Sequence, residues 1–189
     1  MNKSSFLADM KFMLALAFAL SAIMSISAYL ARKSGSLTTK TLEAALTLTG
    51  QSLSPLNEEN KKAFEQTFAQ IQGGKTPVWR FLNMENVLLL EASGNGMWGL
   101  IRLVMLFDTV ENRILGVQVV EQNETSGLGG LIAEKPFLSK FTGMMAQNTV
   151  ELAAMPIEEH QFDAISGATV SCKAVERIIN EALRTVRSL

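Results

Sequence analysis

Residues 12–30 run without a single charge, and no other feature of the chain limits its fold as sharply. Nineteen residues in a helix rising about 1.5 Å each reach roughly 28 Å, close to the ~30 Å hydrocarbon core of a bilayer. Lys11 closes the run on one side, and Arg32 and Lys33 close it on the other. The expected organisation is therefore a short tail (residues 1–11), a transmembrane anchor (12–31) and one folded domain (32–189). Two other readings compete. A cleaved signal peptide would use the small residues Ser25, Ser27 and Ala28, although its apolar region usually spans only about 7–15 residues. A buried helix of a soluble protein is the third. Lys3 and Lys11 before the run balance Arg32, Lys33 and Lys40 after it, so flanking charge does not orient a span.

Beyond Ser34-Gly35-Ser36 the chain mixes charged and apolar residues and is long enough for one core. A net charge of −1 and a pI near 5.9 leave no basic footprint, which excludes nucleic acid as a partner. The single cysteine, Cys172, forms no internal disulfide, and with the single histidine, His160, it supplies no His/Cys metal site. No metal and no catalytic residue is expected. Cys172 reads as a small buried residue, and His160, beside Glu158 and Glu159, as solvent-exposed.

Ser54-Pro55 reads as an N-cap with proline in the first turn, opening a helix that sets Phe64, Phe68 and Ile71 on one face and closes at Gly73-Gly74. Apolar runs of strand length follow at 78–82, 87–92, 100–107 and 114–120. Turns at Gly94-Asn95-Gly96 and at residues 108–112 separate them, and short turns between sequential strands argue for an antiparallel sheet. One more strand is expected near 149–153. Val175, Ile178, Ile179, Ala182, Leu183 and Val186 form one stripe of a C-terminal amphipathic helix. The fold class is α+β: an N-terminal transmembrane helix, then a single domain whose antiparallel sheet is flanked by helices.

The last helix is entered through Asp163-Ala164-Ile165-Ser166-Gly167-Ala168-Thr169-Val170-Ser171. Thr169 or Ser171 is placed to cap the first turn, and Gly167 permits an unusual φ. A helix start presents unpaired N–H groups and receives phosphate well. Taken alone, the stretch reads as a capped helix after a turn rather than as a ligand site.

Asp-x-x-Ser-Gly-Ala-Thr also resembles the flavinylation motif of the FMN-binding domain family, which includes the G subunit of the Rnf complex and the C subunit of the sodium-pumping NADH:quinone reductase. The resemblance implies that a flavin transferase, using FAD and magnesium, esterifies FMN through its phosphate to the motif's last hydroxyl, here Thr169. Ser166, Gly167 and Ala168 would then be the small residues that admit the transferase, and Asp163 its recognition point. A second segment, Glu124-Thr125-Ser126-Gly127-Leu128-Gly129, resembles the family's glycine loop against the isoalloxazine ring. Gly127 and Gly129 would bring backbone amides near the flat ligand, and Leu128 would cover one face. Ser126 stands where the family has proline, which loosens the backbone there. Gly94-Asn95-Gly96-Met97-Trp98-Gly99 resembles a third segment, in which Trp98 would wall the flavin.

What the resemblance implies is a single-pass subunit of the inner (cytoplasmic) membrane with its C-terminal domain extracytoplasmic. It would relay electrons in an Rnf-type or sodium-pumping NADH:quinone reductase-type complex. Its partners would be the other membrane subunits, membrane lipid and, during maturation, the flavin transferase. A freestanding flavoprotein of another respiratory chain, and an assembly or binding module that never receives flavin, are the alternatives.

Overall fold

The computed structural model describes Ser21, residues 38–73, residues 75–147 and residues 149–189. The chain divides into two compact units, Met1–Ser36 and Leu37–Leu189, and the helices and strands named here belong to the second. The expected tail and anchor lie outside the described residues, Ser21 apart. Among the described residues no helix is long and apolar enough to cross a membrane.

Five strands form one antiparallel sheet in chain order: β1 (Phe68–Gln72), β2 (Val78–Phe81), β3 (Val87–Asn95), β4 (Leu100–Asp108) and β5 (Arg113–Glu121). β4 is almost continuously apolar because both of its faces are covered, and the twofold alternation of strand side chains sorts them into two cores. Leu90, Ala92, Leu103 and Met105 face a C-terminal helix, Thr169–Arg187, whose Val175, Ile178, Ile179 and Ala182 are buried against them. Leu89, Val104 and Leu106 face the other way, onto α1 (Thr39–Leu48) and α2 (Asn57–Thr67) through Leu42, Ala45, Leu46 and Phe64. The domain is thus a sheet between two helical layers. Its antiparallel sheet and α+β class agree with the expectation, as does the stripe of the last helix, in which Val186 is only partly buried.

Between β5 and the last helix, a 3-10 turn (Gly129–Ala133), the short α3 (Lys135–Leu138) and a second 3-10 turn (Ser139–Phe141) wrap the sheet edge. Phe137, Phe141 and Phe162 pack there with ring centroids 4.8–6.0 Å apart. A parallel pair follows, β6 (Glu151–Leu152) and β7 (Gln161–Phe162). The last helix, α4, holds this pair down. The Asn180 amide accepts from the N–H of Val150 at 2.8 Å and donates to its carbonyl at 2.9 Å, and Glu176 accepts from the N–H of Leu152 at 2.9 Å.

Several expectations need correction. α1 has no counterpart among the elements expected from the sequence. α2 ends at Thr67, and Phe68 opens a strand, so Phe64 and Phe68 are buried while Ile71, expected on the same face, is exposed. Pairing with β2 outweighs helix continuation over Phe-Ala-Gln-Ile-Gln, because the sheet gives Phe68 a partner in Phe81 at 5.4 Å. Ser54 is not the N-cap of α2, which is Leu56. Its hydroxyl accepts from the N–H of Leu56 at 3.2 Å and donates to Glu59, shaping the turn before the helix. β3 runs on to Asn95, so Gly94 and Asn95 are strand rather than turn. His160 is half-buried, with its ring nitrogens 3.4 Å from Glu158 and 3.7 Å from Glu151, because β7 draws it in beside β6.

Candidate functional site

Three segments remote in sequence meet at the N-terminal end of α4. The first is the β3–β4 turn, closed by a hydrogen bond of 2.7 Å from the N–H of Gly96 to the carbonyl of Gly99. α4 lies close against this hairpin. A Cβ at Gly94 would come within 2.8 Å of Ile178, and Arg177 donates to the carbonyl of Asn95 at 3.2 Å.

The second segment is the loop after β5. The Thr125 carbonyl accepts from the N–H groups of Leu128 at 3.1 Å and Gly130 at 2.9 Å. Gly127 takes a left-handed φ of +74° with open space around it, so conformation rather than room demands glycine there. Gly129 is different. A Cβ there would approach Ser171 Oγ to 2.5 Å and Glu124 Cβ to 2.9 Å, so its missing side chain makes space for those two residues and not for a ligand.

The third segment is the entrance to α4. The N–H of Ala168 bonds the Ile165 carbonyl at 2.9 Å in a turn where Gly167 has φ +76°. A Cβ on Gly167 would sit 3.3 Å from the side chain of Leu128, which brings the second and third segments together. Thr169 is the first residue of α4 and Ala168 its N-cap, with no side-chain cap. The expected capping by Thr169 or Ser171 therefore does not occur. Ser171 is buried and donates instead to Glu124, and Thr169 points outward with its hydroxyl uncommitted to the helix.

Glu124 joins the three segments. It is 7% exposed, and its Oε1 accepts the N–H groups of Met97 at 2.9 Å and Trp98 at 3.1 Å while its Oε2 accepts from Ser171. The motif sets Glu124 among ligand-facing residues, yet its carboxylate is turned inward. Around it the surface is apolar: Met97, Trp98, Leu128 and Val170 are each at least 47% exposed. Thr125 and Ser166 are exposed on the rim. Trp98 is therefore a surface side chain rather than part of the core.

Asp163 is held by Lys140, whose ammonium lies 2.7 Å from the carboxylate and also donates to the Asp163 carbonyl at 3.2 Å. That hydrogen bond keeps the Asp163 carboxyl below its usual range. Cys172 lies fully buried beneath the turn, its sulfur accepting from the N–H of Ile165 at 3.4 Å, and burial pushes its thiol up. It is packing, as expected. Lys140 does not stand out in the sequence. Ser171 stands out only as a cap, since nothing local links it to a carboxylate 47 residues away. A cavity of about 450 Å³ between α1, α2 and β2, lined by Leu42, Phe64 and Trp79, touches none of these residues and lies in the other core. The chemistry-bearing side chains are at the α4 entrance.

An exposed hydroxyl, a helix start, a patch of exposed apolar side chains and two left-handed glycines thus lie together at this end of the domain. Residues 96–184, which contain all three segments, match the FMN-binding domain family. The match falls on the stretch that carries both motifs, as the resemblance implied.

The relatives narrow the comparison. The G subunit of the ion-translocating oxidoreductase complex of Pseudomonas aeruginosa is 35% identical over 111 residues, which cover 57% of this chain and 51% of that protein. The C subunit of the Na(+)-translocating NADH-quinone reductase of Haemophilus ducreyi is 32% identical over 96 residues, 47% of this chain and 37% of that protein. The chain thus spans about half or less of the curated relatives it matches. The fold resembles the crystal structure of Shewanella oneidensis NqrC with a TM-score of 0.62 at 18% identity, over 74% of this chain and 88% of that one. The corresponding reductase component from Parabacteroides distasonis gives 0.63 at 19%, over 77% and 88%.

Proposed function

We propose that the chain is a membrane-anchored electron-transfer subunit carrying FMN as a phosphoester on Thr169, within an ion-translocating complex of the Rnf or sodium-pumping NADH:quinone reductase type. One observation carries this reading above the others: Thr169 is exposed and free of capping duty at a helix start that abuts Leu128 and lies beside the Trp98 turn. A phosphodiester there meets the partial positive charge and the unpaired N–H groups of the first turn of α4.

Trp98 and Leu128 would cover the ring, Gly127 would let the loop backbone approach it, and Asp163 would be the transferase's contact. The bound flavin would supply the redox chemistry, while the protein's own part is to hold the ring, bury part of it and shut out water. The apolar run at residues 12–30 supports a single-pass anchor, and the family resemblance supports an extracytoplasmic domain in the inner membrane. Partner subunits of the complex would give and take the electrons, and membrane lipid would surround the anchor.

Intact mass tests the reading. Chain co-expressed with a flavin transferase should gain one FMN less one water, and Thr169→Ala should abolish the gain. Wild-type chain that stays unmodified while the transferase labels a control substrate would return the motif to a plain helix entrance, as in an assembly module without flavin.

A further inference from the structure

A carboxylate buried to the extent of Glu124 is costly unless donors satisfy its oxygens. Its donors come from two places far apart in sequence: the N–H groups of Met97 and Trp98, 27 and 26 residues before it, and the Ser171 hydroxyl, 47 residues after. Two glycines keep the space open. A Cβ at Gly96 would collide with Oε1, and one at Gly129 would come within 3.0 Å of Oε2. Trp98 is 65% exposed, so its side chain does little to hold the turn; the Gly96–Gly99 bond closes the turn, and the two bonds to Oε1 tie its tip to the loop after β5.

We propose that Glu124 is the positioning residue of the site. Its carboxylate locks the Trp98 turn and the first turn of α4 into one arrangement, so that the ring wall and the attachment hydroxyl are presented together. The same bond separates the hydroxyls of the helix start. Ser171 is buried and committed to Glu124, and Thr169, one half-turn earlier, is left for the ester. This rests on the FMN reading above.

The test uses the full chain in mild detergent, with Glu124→Gln, Glu124→Ala and Ser171→Ala. Two quantities are read: amide hydrogen exchange at Met97 and Trp98 in the flavin-free chain, and the rate of FMN attachment by a flavin transferase, from intact mass. In Glu124→Ala the two amides lose their acceptor. Their protection should fall about tenfold or more while β4 stays protected, and attachment should slow by a similar factor. Glu124→Gln keeps an oxygen for both amides and should stay within about threefold of wild type on both readouts. Ser171→Ala should leave Met97 and Trp98 protected yet slow attachment. Leu89→Val, which loosens the opposite core, should not change the attachment rate below its melting temperature.

Unchanged protection in Glu124→Ala, or attachment as slow in Glu124→Gln as in Glu124→Ala, overturns the proposal. So does wild-type attachment in Ser171→Ala, and if Glu124→Ala fails to fold, the Gln and Ser171 variants decide. A wild-type chain that accepts no FMN refutes the function proposed above and leaves the exchange measurement to judge Glu124 alone.

Discussion

Gly129→Ala turns the packing of the site into a number. The added methyl would stand 2.5 Å from Ser171 Oγ, 2.9 Å from Glu124 Cβ and 3.0 Å from Glu124 Oε2. Both neighbours are buried and bonded to each other, so neither can swing away without breaking that bond. Overpacking of this kind costs about 1–3 kcal/mol, which lowers the melting temperature by roughly 2–4 °C per kcal/mol in a domain of this size. Ser171→Ala alone removes a hydrogen bond to a carboxylate and costs about 1.5–3 kcal/mol.

In the double variant the closest obstructing atom is gone and Glu124, freed of its bond to Ser171, can give way, so the clash is partly relieved. The combined loss should fall short of the sum by about 1 kcal/mol or more, beyond the ~0.5 kcal/mol expected of independent sites. Urea unfolding of the four proteins, followed by circular dichroism, measures the cycle. Additive losses would show that the Ser171–Glu124 contact is not what demands glycine at position 129, and the packing argument for the loop would fail.

Two further outcomes concern pH. Glu91 is largely buried, and burial raises its carboxyl above the ordinary value of 4.5, against the lowering effects of Thr41 and Arg102. The folded chain therefore binds more protons than the unfolded one above pH 4.5, and stability falls as pH rises through the raised value. Glu91→Gln should gain on wild type across that window and then level off; a stability difference independent of pH between the two would refute this. Asp163 is shifted the other way, lowered from 3.8 by Lys140. Its contribution is complete above the ordinary value and is lost as pH falls through the lowered one. Lys140→Met should destabilise by no more than about 1 kcal/mol near neutrality because the Asp163 carboxylate is solvent-exposed, and its gap to wild type should close in acid, as thermal melts against pH would show.

Much of the fold can be read from pattern because its signals are local. The apolar runs of β3, β4 and β5 and the stripe of α4 each repeat within a few residues, and turn residues punctuate them. The boundary between α2 and β1 is not legible in this way. Phe68 continues the helical spacing from Phe64, and only its pairing with Phe81 on β2 decides for strand. α1 escapes a reading by pattern because Thr39–Leu48 carries three threonines, which lean away from helix unless tertiary packing compensates, as the burial of Leu42, Ala45 and Leu46 does here.

At the site, Gly127, Leu128, Gly167 and Thr169 stand out as motif members. The inward turn of Glu124, the commitment of Ser171 and the clamp of Lys140 on Asp163 do not, because each depends on a partner more than twenty residues away.

The order of elements along the chain has a consequence for maturation. The sheet is a meander whose neighbours are adjacent in sequence, so its strands can pair as they are made. α4 is translated after all five, yet it supplies Ser171 to Glu124 and carries Thr169. Before α4 docks, the Trp98 turn lacks its tie to the helix and the hydroxyl has no fixed place beside it. On the function proposed above, a transferase that reads the assembled surface would meet its target only on a domain that has finished folding, and the attached group would mark the chains that passed.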